Sequence, residues 1–277
     1  MSTQRIFRVA IDGPAGAGKS STAKLQVASL LSFTYIDSGA FYRCVALNSL
    51  RWHPELFEDG NARHVSLEAP DTRRIIAKVA ESTVVKQETE RALPGSSAAK
   101  GTAPLMPRHR IWLGDDDVSV AIRDNAISRI GSDVAKLIEV REAVGKMQRA
   151  AATNVGSRSS GGIVMDGRDI GTHVFPDAEL KVFITCPAEV RARRRLLELQ
   201  KLSGGTGNTE SRTTTKLPTY DQVLEGIKQR DVQDTTRAVS PLRKAEDALE
   251  VDTSDRTLSQ IAHHIADIAR QRMNRLN

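Results

Sequence analysis

Apolar residues along this chain come in two rhythms. Short unbroken runs alternate with longer stretches in which apolar positions return every three to four residues. Ile6 to Ile11, Phe33 to Ile36, Ile163 to Met165, Leu180 to Ile184 and Ala248 to Val251 are the short runs. They are too short and too apolar for surface hairpins, so they predict buried parallel strands. Lys19 to Ser32 carries Ala23, Val27, Leu30 and Leu31 on one helical stripe, and Thr257 to Arg272 carries Leu258, Ile261, Ile265 and Ile268. Helices are also predicted over Ala40 to Leu50, Pro187 to Leu202 and Tyr220 to Gln229. Strand and helix in alternation predict an α/β fold of three layers, a parallel sheet flanked by helices.

Two segments break that alternation. From about Glu81 to Val120 the pattern turns to period two, with Thr83-Val84-Val85 and Arg110 to Leu113 separated by a Pro/Gly/Ser/Ala-rich stretch, Leu93 to Pro107. This predicts a small antiparallel β element with a long connection. Ser203 to Pro218, rich in Gly, Ser and Thr, reads as a mobile loop between two helices. Loops of this length in a compact domain serve as lids or binding loops, or are disordered. No internal repeat is visible.

Composition narrows the setting. Hydrophobic residues make up 39% and charged residues 27% of the 277 positions, ordinary for a globular protein that buries a sizeable core. Cys44 and Cys186 stand far apart and form neither a disulfide framework nor a metal spacing, which suggests a reducing compartment. No apolar run reaches the ~18 residues of a membrane span. The first strand begins within six residues, leaving no room for a transit peptide, and a cytoplasmic location is expected. Forty basic against 34 acidic residues give a net charge of +6, which invites a nucleic-acid partner. Aromatic residues at 4% supply few rings for base stacking, and a site that handles several phosphates needs arginines of its own.

The chemistry begins at Gly13-Pro14-Ala15-Gly16-Ala17-Gly18-Lys19-Ser20, a P-loop pattern directly behind the first strand. Its glycines let backbone N–H groups curl round phosphate oxygens, Lys19 reaches the β- and γ-phosphates, and Ser20 offers a hydroxyl toward Mg²⁺. The following helix, with Ser21 in its first turn, points its positive end at the anion. Asp37-Ser38-Gly39-Ala40-Phe41-Tyr42-Arg43 lies at the end of the second strand. There a carboxylate faces the crevice where open α/β sheets bind ligands, although Asp37 or Ser38 as a plain helix N-cap explains the pattern equally. Asp166-Gly167-Arg168-Asp169-Ile170-Gly171-Thr172 follows the strand Ile163 to Met165. Asp166 suits a Mg²⁺-holding carboxylate next to a P-loop, and a salt-bridged Asp-Gly turn is the alternative.

Taken in order, GPAGAGKS, DSGAFYR, DGRDIGT and the later Arg230-Asp-Val-Gln-Asp234-Thr-Thr-Arg237-Ala-Val-Ser-Pro241-Leu resemble the bacterial-type cytidylate kinase family, from Ile6 to about Ile265. The stretches Leu93 to Pro107 and Ser203 to Pro218 are longer than is usual in that family. The resemblance implies a single P-loop kinase domain, with core 1–50 and 160–277, a nucleotide-binding insertion at about 51–159 and a lid at about 191–237. It implies ATP as phosphoryl donor, CMP or dCMP as acceptor, Mg²⁺ held through Ser20, Asp37 and Asp166, and a monomer with no nucleic-acid or membrane partner. It puts the acceptor phosphate among Arg43, Arg168 and Arg230, with Arg237 nearby and Asp234 toward the sugar hydroxyl. Ser132, Arg141 and Asp169 would read the cytosine. Ser132 and Arg141 match by spacing only, because a proline usual before Val140-Arg141 is absent, and on spacing Arg141 serves as well as a solvated helix arginine.

Arg191, Arg193, Arg194 and Arg195 form a basic run that is either a solvated face or, in a nucleotide kinase, part of a lid over ATP. Arg191, Arg194 and Arg195 share a helical face, and Arg194 and Arg195 match the family's paired lid arginines. Lys19, Arg168, Arg194 and Arg230 are the expected catalytic cations, since phosphoryl transfer is driven by positioning and charge neutralisation. Another P-loop small-molecule kinase, or a nucleotide-switched nucleic-acid-binding ATPase, are the competing readings.

Overall fold

Strand β1 (Phe7–Asp12) is buried along nearly its whole length and occupies the middle of a parallel sheet. Residues 6–57, 67, 69–89, 109–156, 161–204 and 217–276 are described by a computed structural model. The expected connection Leu93 to Pro107 and most of the expected loop Ser203 to Pro218 lie outside the described residues. The sheet is completed by β2 (Thr34–Asp37), β6 (Gly162–Gly167), β7 (Leu180–Thr185) and β8 (Leu249–Asp252), in the order β2-β6-β1-β7-β8. Strand alternation explains why both faces must be covered. Ala10, Ile163 and Met165 point into one hydrophobic cluster, while Val9, Ile11 and Val164 point into another.

The second cluster is roofed by the helical run after the P-loop and by α9 (Leu258–Leu276), whose Ile261 and Ile265 are fully buried. That helical run is α1 (Lys19–Thr22), a π-helical turn (Ala23–Val27) and α2 (Ala28–Leu31), closed by Ser32 at φ 56°. The first cluster is covered by α3 (Ser38–Trp52), α5 (Asn125–Val134) and α6 (Ile138–Gly156). Helices α7 (Ala188–Gly204) and α8 (Tyr220–Thr236) pack on each other beyond the carboxyl edge of β7. A capping box at Thr219 and Gln222 starts α8, which runs two turns past the expected Gln229. Arg230 and Asp234 therefore stand on a helix.

A second sheet is antiparallel, β3 (Val85–Thr89), β4 (His109–Leu113) and β5 (Asp116–Asp117) in that order. The hairpin is as expected but its first strand begins later than Thr83. The Thr83 hydroxyl donates to the Val79 carbonyl at 2.7 Å and so finishes α4 (Pro70–Ser82), and Val84 is 69% exposed. Helices α4, α5 and α6 flank the hairpin, in segments where the hydrophobic pattern predicts no element. Their signals are local ones, a proline at the start of α4 and Asp124 capping α5 through the Ala126 N–H.

Candidate active site

Three strands deliver carboxylates to one edge of the large sheet. Register sets Asp37 beside Asp166 and Asp12 beside Gly167. The edge opens into a cleft of about 420 Å³. Gly13 leaves β1 so close to β7 that a Cβ would lie 2.2 Å from the Ile184 carbonyl oxygen, and its φ of 148° excludes side chains independently. Helix α1 then starts with no side-chain cap, leaving its first N–H groups to an external acceptor. Lys19 is buried across the loop, with Nζ donating to the Pro14 carbonyl at 2.6 Å. Desolvation, and then the charge of Arg168, hold its ammonium well below the ordinary lysine range against the pull of Asp166, Asp12 and Asp234.

Asp166 is the centre of the next layer. Ser20 Oγ donates to its Oδ2 at 2.6 Å, the Tyr35 hydroxyl donates to its Oδ1 at 2.7 Å, and the Ser38 hydroxyl donates to its carbonyl at 2.5 Å. Burial, and then the neighbouring Asp37 charge, push the Asp166 carboxyl up. Asp37 caps α3 through the Ala40 N–H at 3.0 Å and also takes the Arg43 guanidinium at 2.7 Å, which outweighs its burial and keeps its pKa low. It is thus both an N-cap and a cleft residue. Asp166-Gly167 lies within β6, hydrogen-bonded in the ladder between β1 and β2, so the turn alternative falls. Two repelling carboxylates beside a hydroxyl form an all-oxygen donor set that fits Mg²⁺, an ion that takes one or two carboxylates and fills its remaining positions with water and phosphate. Among the described residues no group of three or more His, Cys, Asp or Glu could hold a metal by itself.

The opposite wall is built of arginines and their partners. Arg168 Nε donates to Asp234 Oδ2 at 2.7 Å, and burial of Asp234 is outweighed by Arg168 and then Arg230, so its carboxyl stays below the usual range. Arg237 lies 3.5 Å from Asp169 and 3.8 Å from Asp234. Arg141 donates to Asp169 at 2.5 Å and to the Ala135 carbonyl at 3.2 Å, with its guanidinium carbon 5.4 Å from the Tyr42 ring centre. A solvated arginine is excluded, since the two charged side chains are only 2% and 8% exposed. Burial pushes the Tyr42 hydroxyl up to about 12, so it remains a neutral donor. Gly131 lets α5 approach α3 closely at Arg43, and Ser132, whose hydroxyl donates to the Ser128 carbonyl at 3.0 Å, lines the same cleft. Among the described residues Arg230 faces the cleft and makes no hydrogen bond or ion pair; desolvation, and then the nearby Arg168 charge, lower its pKa.

The cleft gathers most residues expected from the sequence. Ala15, Gly16, Gly18, Lys19, Ser20 and Ser21 line its P-loop end. Asp37, Ser38, Gly39, Tyr42, Arg43, Ser132, Arg141, Asp166, Gly167, Arg168, Asp169, Arg230, Asp234 and Arg237 line the rest. Gly13, Pro14 and Ala17 shape the loop without lining the cleft. The basic run of α7 divides. Arg194 reaches the carbonyls of Thr253 and Ser254 at 2.5 and 3.2 Å, outside the cleft wall, and Arg195 is about half exposed beside Glu198. Arg191 is buried, donating to the Cys186 and Ala15 carbonyls and to both oxygens of Asp231.

Other residues carry no motif of their own. Asp12 accepts the Ile170 and Gly171 N–H groups at 2.8 and 2.7 Å, tying the P-loop strand to the turn after Asp169. Burial raises its pKa to about 7, above its unfolded value. Its stabilising contribution is therefore complete at low pH and is lost as pH rises through about 7. Asp12→Asn lacks that titration and leaves one N–H without an acceptor. Its stability deficit against the parent should be wider at pH 5 than at pH 8, as read from urea midpoints; a gap that widens with pH would contradict the assignment. Behind Asp37, Gln87 on β3 and His109 on β4 make a hydrogen-bonded pair. Burial lowers His109 to about 4, so the ring is neutral near pH 7.

Over residues 9–271 the chain matches the family described as Cytidylate kinase. The cytidylate kinase of Caldicellulosiruptor bescii is 37% identical over 262 residues, covering 95% of each chain. Those of Bacillus pumilus and Listeria monocytogenes are 39% and 38% identical, each match covering 96% of this chain and 97% of the relative. With the P-loop, the paired carboxylates and the arginine wall folded into one cleft, and with similarity extending over nearly the whole length, this chain belongs to the cytidylate kinase family.

Proposed function

We propose that this chain transfers the γ-phosphoryl group of ATP to CMP or dCMP, giving ADP and CDP or dCDP. The observation that carries this reading is the shared cleft, in which the uncapped P-loop helix and Lys19 face Arg43, Arg168 and Arg230. The first set suits a triphosphate and the second a monophosphate. The acceptor phosphate is mostly dianionic at neutral pH, its second pKa being about 6, so it attacks without a protein base. The positive groups work by holding two anions in line and by taking up charge as the bond transfers.

Asp169 and Arg141 supply the acceptor and the donor needed to read the amine and ring carbonyl of cytosine, with Ser132 beside them. Asp234 is assigned to the sugar and Arg237 to the same end of the nucleotide. Mg²⁺, held by Ser20, Asp166 and Asp37, would supply neutralisation of the donor phosphates. Arg194 and Arg195 are proposed as contacts to ATP. The division into core 1–50 and 160–277, insertion 51–159 and lid 191–237 belongs to the same reading, as does a monomeric state. No helix among the described residues is long and apolar enough to cross a membrane.

The test offers CMP, dCMP, UMP, AMP, GMP and shikimate in turn with Mg·ATP while ADP is followed. CMP and dCMP should lead. A lead for AMP, or equal ADP formation without any acceptor, would sink the proposal. The latter result, together with strongly salt-dependent RNA or DNA binding, would favour a nucleotide-switched nucleic-acid-binding ATPase.

A further inference from the structure

Strand β2 is the edge of the large sheet, and at its last residue the missing neighbour is replaced by a side chain. The Asp37 N–H donates to Gln87 Oε1 at 2.8 Å, and Gln87 Nε2 donates to the Asp37 carbonyl at 2.8 Å. The carboxamide thus pairs with both backbone groups of Asp37, as a peptide of an adjoining strand would. Its own orientation is fixed in turn. Gln87 Oε1 accepts from Asp37, so His109 Nε2, 3.0 Å away, must be the protonated nitrogen. His109 Nδ1 is then an acceptor, and the Thr89 hydroxyl at 2.9 Å donates to it. The ring also packs edge-on to Tyr35, with centroids 4.9 Å apart, and the Tyr35 hydroxyl binds Asp166.

We propose that Gln87, held by His109, is a positioning residue for the acceptor end of the site. By pinning both backbone groups of Asp37 it fixes the carboxylate that orients Arg43 for the acceptor phosphate. The antiparallel sheet then does more than extend the fold, because its hydrogen bonds set the geometry of a residue on another sheet. This inference rests on the reading of Asp37 and Arg43 as phosphate-end residues of a CMP kinase. Neither Gln87 nor His109 lines the cleft, so neither touches substrate.

The experiment compares wild type with Gln87→Leu, Gln87→Glu, His109→Leu and His109→Gln. Gln87→Glu keeps the acceptor for the Asp37 N–H and loses the donor to its carbonyl. His109→Gln keeps a donor near the Nε2 position. KM for CMP and for ATP are measured separately, as are the affinity for CMP alone by calorimetry and the exchange rate of the Asp37 amide. Gln87→Leu should raise KM and Kd for CMP roughly tenfold, raise KM for ATP by less, and speed Asp37 exchange. Gln87→Glu and His109→Leu should fall between, and His109→Gln should return close to wild type. If Gln87→Leu does not fold, the ordering of the other three variants carries the test. A wild type that phosphorylates CMP, with variants matching it in CMP affinity and Asp37 exchange, overturns this inference alone. A wild type that phosphorylates no cytidine nucleotide overturns the functional reading and the inference with it.

Discussion

Lys19→Ala is expected to lower kcat with saturating CMP and ATP by about 10²- to 10³-fold, the scale seen when a preorganised transition-state donor is removed. The ammonium is buried, within reach of the loop that would cradle phosphates, and it is held below its ordinary pKa by desolvation and by Arg168. A site so arranged favours an arriving anion as the missing counter-charge. Taking the ammonium away also removes its desolvation cost, so the melting temperature should move by no more than a few degrees. The loop itself is specified by the glycines at 13, 16 and 18, all at positive φ, and does not need the lysine to fold. Lys19→Met, which keeps the aliphatic stem, should behave like the alanine variant. Turnover within twofold of the parent in either variant would remove Lys19 from the chemistry.

Arg141→Met should cost both stability and substrate recognition. Its guanidinium and the Asp169 carboxylate are buried together, and removing one member of such a pair strands the other charge, typically at ~3–5 kcal/mol. For a chain of this size that corresponds to a fall in melting temperature of about 5–9 °C. Arg237, at 3.5 Å, compensates only in part. Replacing both partners, Arg141→Met with Asp169→Leu, should recover most of the lost stability and none of the CMP turnover. If the double variant phosphorylates CMP normally, the pair is a structural element and the cytosine contacts lie elsewhere. Equal stability of the single variant and the parent would instead show that Asp169 finds another cation.

Much of the large sheet was legible because its strands are short, apolar and followed by polar residues. Ile6 to Ile11 and Ile163 to Met165 locate the strands ending at Asp12 and Gly167 to within one or two positions. The hairpin pattern located β4, but polar residues at Lys86, Gln87 and Glu88 concealed that β3 runs to Thr89. Motif order brought Asp37, Arg43, Asp166, Arg168 and Arg230 to one cleft. What stayed hidden depends on contacts between distant segments. Nothing near Arg191 in sequence distinguishes it from Arg195, yet one is buried against Ala15 and Asp231 and the other is in solvent. Gln87 and His109 carry no signal of their own in the sequence, and only the meeting of two sheets gives Gln87 the Asp37 backbone and His109 as partners.

The central place of β1 also bears on how the protein is made. Both its neighbours, β6 and β7, lie roughly 150 residues or more further along the chain and are made after it. At ~5–20 residues per second, β1 waits on the order of ten seconds or longer for its first hydrogen-bonded neighbour. Until then the glycine loop lacks Ile184 at its back, Asp166 beside Ser20 and Arg191 on the Ala15 carbonyl. A nascent chain therefore completes its P-loop cradle only after β6 and β7 have been made.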